Sequence, residues 1–108
     1  MRRFGSLRRR ADFARLRQRG RRIGARHLTL YAAEAWPSDP SSLVGIAIAT
    51  SIGNAVVRNT VRRRLKAALD QELGGRRLRL LIVARPDAAS ADFSDLRSEL
   101  VRALGNLS

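Results

Sequence analysis

The chain has 108 residues, 44% of them apolar, enough for one hydrophobic core and too many for a polypeptide that stays disordered throughout. Its 22 Lys and Arg against 9 Asp and Glu give a formal net charge of +13, which implies a polyanionic partner. The absence of cysteine excludes a disulfide framework and a thiolate metal site; nowhere do about 18 apolar residues run together to cross a membrane, and residues 1–10 hold no apolar stretch long enough for a secretory signal. We therefore expect one RNA- or DNA-contacting domain over residues 1–108, in the cytoplasm and without membrane attachment.

The cations are unevenly placed: 11 lie in residues 1–26 beside the single acid Asp12, none in 27–57, and 11 from Arg58 onward. All but Lys66 are arginine, whose planar guanidinium suits bidentate phosphate contact and stacking better than an ammonium does. Codon bias in a GC-rich genome would also favour Arg over Lys, but it does not account for the net charge.

In chain order, residues 11–19 set Phe13 and Leu16 on one helical face and Arg15 and Arg19 on another, and stop at Gly20, so a short amphipathic helix is predicted. A short extra strand over 21–26 is a further expectation. Residues 27–35 alternate Leu28, Leu30 and Ala32 against Thr29, Tyr31 and Ala33, the period of a strand. The Pro- and Ser-rich stretch 37–42 forces a loop. Residues 43–50 are apolar on both faces, as in a strand covered on both sides. After a bend at 51–54, residues 55–73 place Val57, Val61, Leu65, Ala68, Leu69 and Leu73 at helical spacing. Residues 78–85 read as a strand closed by Pro86. The last segment reads as a helix capped by Ser90, with Phe93, Leu96, Leu100, Val101 and Leu104 on its apolar face. The predicted class is α+β, an α/β sandwich in which a small sheet of about four strands is packed by three helices in the order α-β-β-β-α-β-α.

The stretch 53–66 carries the chemistry. Five of its last nine residues are cationic and none is acidic; on a helix Arg58, Arg62 and Lys66 share one row, with Asn59 and Arg63 on the adjoining row. Solvated helix faces normally mix signs, and this one does not. A polyanion lying along the row would relieve the repulsion, and the amide of Asn59 could reach a base edge or a metal-bound water.

The same run, Ile52-Gly53-Asn54-Ala55-Val56-Val57-Arg58-Asn59-Thr60-Val61-Arg62-Arg63, resembles the signature of the protein subunit of bacterial ribonuclease P, in which an Arg-Asn pair is followed after two residues by two basic ones. Leu7, Asp12-Phe13, Gly20, Arg26, Leu30-Tyr31, Val44-Gly45 and Ile82-Val83-Ala84-Arg85 fall in that family's order and approximate spacing, so the likeness covers residues 7–104. The resemblance implies a single RNA-binding domain that assists a catalytic RNA in removing the 5′ leader of precursor tRNA. It also implies an unusual left-handed βαβ crossover, against the general right-handed preference. Magnesium would belong to the RNA subunit, with no cofactor bound by the protein alone and no obligate protein partner. Carried over by position, Arg58, Asn59, Arg62, Arg63 and Lys66 would face RNA from the motif helix. Phe13, Arg17, Tyr31 and Thr50 would belong to a leader-binding cleft, and Arg8, Arg9, Arg10 and Arg15 would support the RNA contact. Two positions depart from the family pattern: Arg17 stands where an aromatic is common, and Thr50-Ser51 replaces a basic pair.

No nucleophile-base pair or carboxylate cluster is evident, so no catalytic residue is assigned to the chain. His27, the only histidine, is expected at a surface or edge, and Asp92, Asp95 and Glu99 at a helix start and on the surface. The alternative reading is a ribosomal-type or other non-enzymatic RNA-binding protein. A DNA-binding protein is less favoured because helix-turn-helix and zinc spacings are lacking.

Overall fold

A computed structural model describes residues 4–73 and 75–107. The elements run β1 (Phe4–Ser6), α1 (Arg10–Arg19), β2 (Arg21–Gly24), β3 (Leu28–Glu34), β4 (Ser42–Ile48), α2 (Ala55–Glu72), β5 (Leu78–Ala84) and α3 (Phe93–Gly105). The strands form one mixed sheet in the order β1-β4-β5-β3-β2. β1 and β5 flank β4 in parallel, whereas β3 runs antiparallel to both β5 and β2. The α+β class and the three helices agree with the sequence pattern. The fifth strand is β1, whose three residues, with a glycine at the centre, are too few to display an alternation.

The two sheet faces follow the period of two. On one face Leu28, Leu30 and Ala32 of β3, Val44 of β4 and Leu80, Ile82 and Ala84 of β5 meet Val61, Leu65, Ala68 and Leu69 of α2 and Leu96, Leu100, Ala103 and Leu104 of α3. Burial of each such leucine is worth roughly 1.5–3 kcal/mol, so this layer holds the fold. On the other face α1 is laid down by Leu16, which packs with Leu7 and Leu81, with Phe13, Tyr31, Leu43, Ala47 and Val83 around them. That second cluster is small, and it leaves part of the sheet face open beside α1.

Local chemistry sets the ends of α2. Asn54 is its N-cap, with Oδ1 accepting the Val57 N–H at 3.1 Å. Gly53, just before it, has φ 158° and ψ −168°, a backbone region that essentially only glycine enters, and a Cβ there would meet Val57 at 3.0 Å. The turn between β4 and α2 is a short 3-10 helix at Thr50–Ile52.

Three expectations need correction. Ser90 does not cap the last helix: it closes a 3-10 turn at Pro86–Ser90, its hydroxyl donating to the Asp87 carbonyl, and α3 begins after Asp92. Val101 is 45% exposed, and Ala103 takes the buried place on that face. His27 and Glu99 are not surface residues. Both are buried, because Glu99 of α3 accepts the His27 backbone N–H at 2.8 Å through Oε1 and contacts the imidazole Nδ1 through Oε2. Their polar groups satisfy each other across 72 residues of sequence. No helix among the described residues is long and apolar enough to cross a membrane.

Candidate nucleic-acid interface

Phe13 reaches from α1 over β4 at the one point where β4 has no side chain. A Cβ placed on Gly45 would lie 2.4 Å from the Phe13 ring, so the glycine makes the room that the ring occupies. Phe13 packs on the Leu7–Leu16–Leu81 cluster but remains half-buried, and half-buried Tyr31, opposite Leu81 in the β3–β5 register, shares that cluster. The two rings therefore serve both the packing of the α1 layer and the surface beside it.

β1 covers only Ser42, Leu43 and Val44 along the outer edge of β4. Beyond it a groove of about 140 Å³ opens, lined by Phe13, Gly45 and Ile46 and, from the other side of the sheet, by Arg62 and Lys66 of α2. An aromatic ring and two cations thus converge on one strand edge. This pairing suits single-stranded nucleic acid, whose bases stack and whose phosphates demand positive charge.

The cationic row is not uniform. Arg58 turns back to donate from Nη1 to the Gly53 carbonyl at 2.7 Å, bracing the helix start. Arg62 donates to Asn59 Oδ1 at 3.2 Å, which holds this pair together on the surface, and Arg63 lies beside the Thr60 hydroxyl. Arg64 bonds the Ala91 carbonyl at 3.1 Å and so ties α2 to the segment before α3. Of the remaining predicted positions, Arg17 is exposed one turn after Phe13, and Thr50 is exposed in the turn after β4. Neither lines the Phe13 groove. Arg8, Arg9, Arg10 and Arg15 are exposed around the start of α1.

The sequence pattern missed the group that anchors α1. Arg79 of β5 is buried, donating from Nε and Nη2 to both carboxylate oxygens of Asp39 at 2.8 and 2.9 Å and from Nη1 to Asp12 of α1 at 3.1 Å. Asp39 also accepts the Trp36 backbone N–H at 2.8 Å, and its own carbonyl accepts from Arg77. The Arg79 hydrogen bonds hold the Asp39 carboxyl down at about 2, against the opposing effect of burial, and the same pair raises Arg79 above its ordinary value. A charge inside the apolar run Leu78-Arg79-Leu80-Leu81-Ile82 was the available signal, since a buried arginine demands a carboxylate. Trp36, exposed beside this hub, was also missed.

Among the described residues no group of three or more His, Cys, Asp and Glu is placed to hold a metal ion. A basic α+β sandwich with half-exposed rings on its sheet and an unbalanced cationic helix at its edge defines a class of RNA-binding proteins. The comparisons narrow that class. The family model described as Ribonuclease P matches residues 1–108. The chain is 37% identical over 103 residues to the ribonuclease P protein component of Acidothermus cellulolyticus, covering 94% of this chain and 86% of that protein. It is 40% identical over 100 residues to that of Pseudarthrobacter chlorophenolicus, covering 91% and 73%. The fold is similar to the Staphylococcus aureus RNase P protein, with TM-score 0.83 at 20% identity over 95% of this chain and 94% of that one. It is also similar to the RNase P protein from Thermotoga maritima, with TM-score 0.81 at 19% identity over 95% and 97%. The chain belongs to the ribonuclease P protein family. It is accordingly an RNA-binding subunit of a tRNA 5′-processing endoribonuclease, and the ribosomal-type alternative is not favoured.

Proposed function

We propose that this subunit holds the single-stranded 5′ leader of precursor tRNA along the β4 edge and α1, while α2 turns its remaining cations toward the catalytic RNA. The observation that carries this reading is the shared groove: Phe13 from one layer and Arg62 and Lys66 from the other line the same opening. Phe13 and Tyr31 supply stacking surfaces, each base worth about 1–3 kcal/mol. Arg62 and Lys66 neutralise phosphates, and Asn59, held by Arg62, presents its amide toward RNA. Arg58 and Arg63 extend the positive face of α2, with Arg58 also securing its first turn. Arg8, Arg9, Arg10 and Arg15 add charge near α1. Arg17 and Thr50 border the path at its exposed margin rather than lining it.

Bond cleavage in this reading is the work of the RNA and its Mg2+, and the protein raises the local concentration and order of the substrate. Its place is the cytoplasm, to which a chain without cysteine is suited. The test is reconstitution with a bacterial ribonuclease P RNA at low magnesium, comparing precursor tRNA bearing a long leader with one whose leader is cut to a single nucleotide. The protein should stimulate cleavage of the long-leader substrate far more. Equal stimulation of both would remove the leader from the account.

A further inference from the structure

Trp36 is the only tryptophan in the sequence, and it belongs to neither apolar cluster. It stands 41% exposed just past β3. Its position is nevertheless fixed. Its backbone N–H is held by Asp39, and the Arg79 guanidinium lies 3.6 Å from the centre of its ring, itself locked by Asp39 and Asp12. The exposed Arg15 guanidinium sits more loosely, 5.4 Å from the ring centre. An indole backed by an immobile cation is a stacking platform ordered in advance, so little conformational freedom is lost when a base settles on it.

The surroundings have matching chemistry. A groove of about 400 Å³ beside the ring is lined by Arg8, Arg9 and Ser38 together with Trp36, and a smaller one on its other flank holds Arg15 and Arg19. Four exposed guanidinium groups thus border one exposed aromatic. Ser6 and Leu7 line both the Arg8–Arg9 groove and the Phe13 groove, so the two openings meet at the turn between β1 and α1. A strand leaving Phe13 across that turn arrives at Arg8, Arg9 and the indole. An acidic peptide would use the arginines but would leave the flat ring without a partner.

We infer that Trp36, with Arg8, Arg9 and Arg15, forms a second nucleotide-stacking subsite, taking an unpaired base of the same RNA strand that the Phe13 groove holds. This rests on the leader-binding reading above. Arg79 stays in place beneath the ring, and Arg15, the looser contact, moves from the indole to a phosphate when the base arrives.

Because the chain has a single tryptophan, the site reports on itself. The full chain is titrated with unstructured RNA strands of increasing length, with indole fluorescence read in parallel with the anisotropy of a dye on the strand. Strands long enough to pass the β1–α1 turn should quench the indole. Trp36→Ala should weaken binding by on the order of tenfold for those strands, the loss of one stacked base, with the loss shrinking as the strand shortens. Trp36→Phe should recover part of it, and Arg8→Ala with Arg9→Ala should reduce the affinity of long strands in a protein with an unchanged circular dichroism spectrum. Strands that bind by anisotropy but leave the indole unquenched at every length would overturn this inference and leave the leader-binding reading standing. Absence of any strand binding would overturn both. Quenching by folded ribonuclease P RNA alone would assign the ring to the catalytic RNA, and displacement of RNA from the indole by poly-glutamate with equal affinity would assign it to acidic protein; either result overturns the proposal.

Discussion

Phe13 of α1 and Gly45 of β4 occupy complementary space: the ring lies where a β-carbon on residue 45 would have to be, 2.4 Å from its Cε1. Gly45→Ala should therefore displace the ring, costing about 1–3 kcal/mol of folding stability as overpacking does, and should weaken leader binding. In a Phe13→Ala background the clash is gone, so the same substitution should cost much less. A double-mutant cycle by denaturant unfolding should show coupling above about 0.5 kcal/mol. Strictly additive costs would mean that the ring rests elsewhere in solution.

On α2 the geometry separates cations that the linear motif treats alike. If roughly six phosphates of a single strand are neutralised, the log-log salt slope of binding should be about −4, and Arg62→Ala, which removes a groove cation, should make it shallower by about 0.7. Arg58→Ala should act differently. It loses the bond to the Gly53 carbonyl, which should cost about 1 kcal/mol of stability with a smaller change in slope. Equilibrium binding between low and moderate salt, beside thermal unfolding of each variant, distinguishes the two. Arg62→Ala with an unaltered slope would take that residue out of the phosphate path.

What could be read before any coordinates were known was whatever repeats along the chain. The apolar period gave α2 and β3 nearly to the residue, and alternation placed Tyr31 on the face opposite Leu30. Long-range pairings carry no such period. Asp39 lies in a Pro-Ser loop 40 residues from Arg79, and Glu99, read as a surface residue, lies 72 from His27, so neither pairing shows in the local pattern. The same blindness hid Trp36, whose place depends on Arg79. Family order likewise does not say which side chains line one groove, and Thr50 and Arg17 lie exposed outside the one beside Phe13.

The Asp39–Arg79 pair should make stability depend on acid. Asp39 titrates near 2 in the folded chain against 3.8 as its ordinary value. A depressed carboxyl stabilises fully above the unfolded value, and its contribution fades as pH falls from about 4 toward 2. The full difference corresponds to about 2 kcal/mol. Denaturant unfolding of the wild-type chain should show that loss in this window. In Asp39→Asn the corresponding part of the acid dependence should be missing, and the variant should already be several kcal/mol less stable at neutral pH, since Arg79 stays charged and buried. A variant whose acid profile superimposes on the wild type would sink the assignment.

Glu99 offers the complementary case, a buried carboxylate on the sheet face away from α1. It is 8% exposed and accepts the His27 backbone N–H, so Glu99→Ala leaves that N–H without an acceptor and should cost about 1–3 kcal/mol. Glu99→Gln keeps an oxygen for the same N–H and should cost less. Because His27 ends the loop into β3 and lies across the sheet from Phe13, the folded fraction of either variant should bind leader RNA with unchanged affinity. Thermal unfolding ranks the two substitutions, and strand binding measured well below the melting temperature tests the separation. A binding defect in fully folded Glu99→Gln would show that the clamp beneath β3 also sets the position of Tyr31.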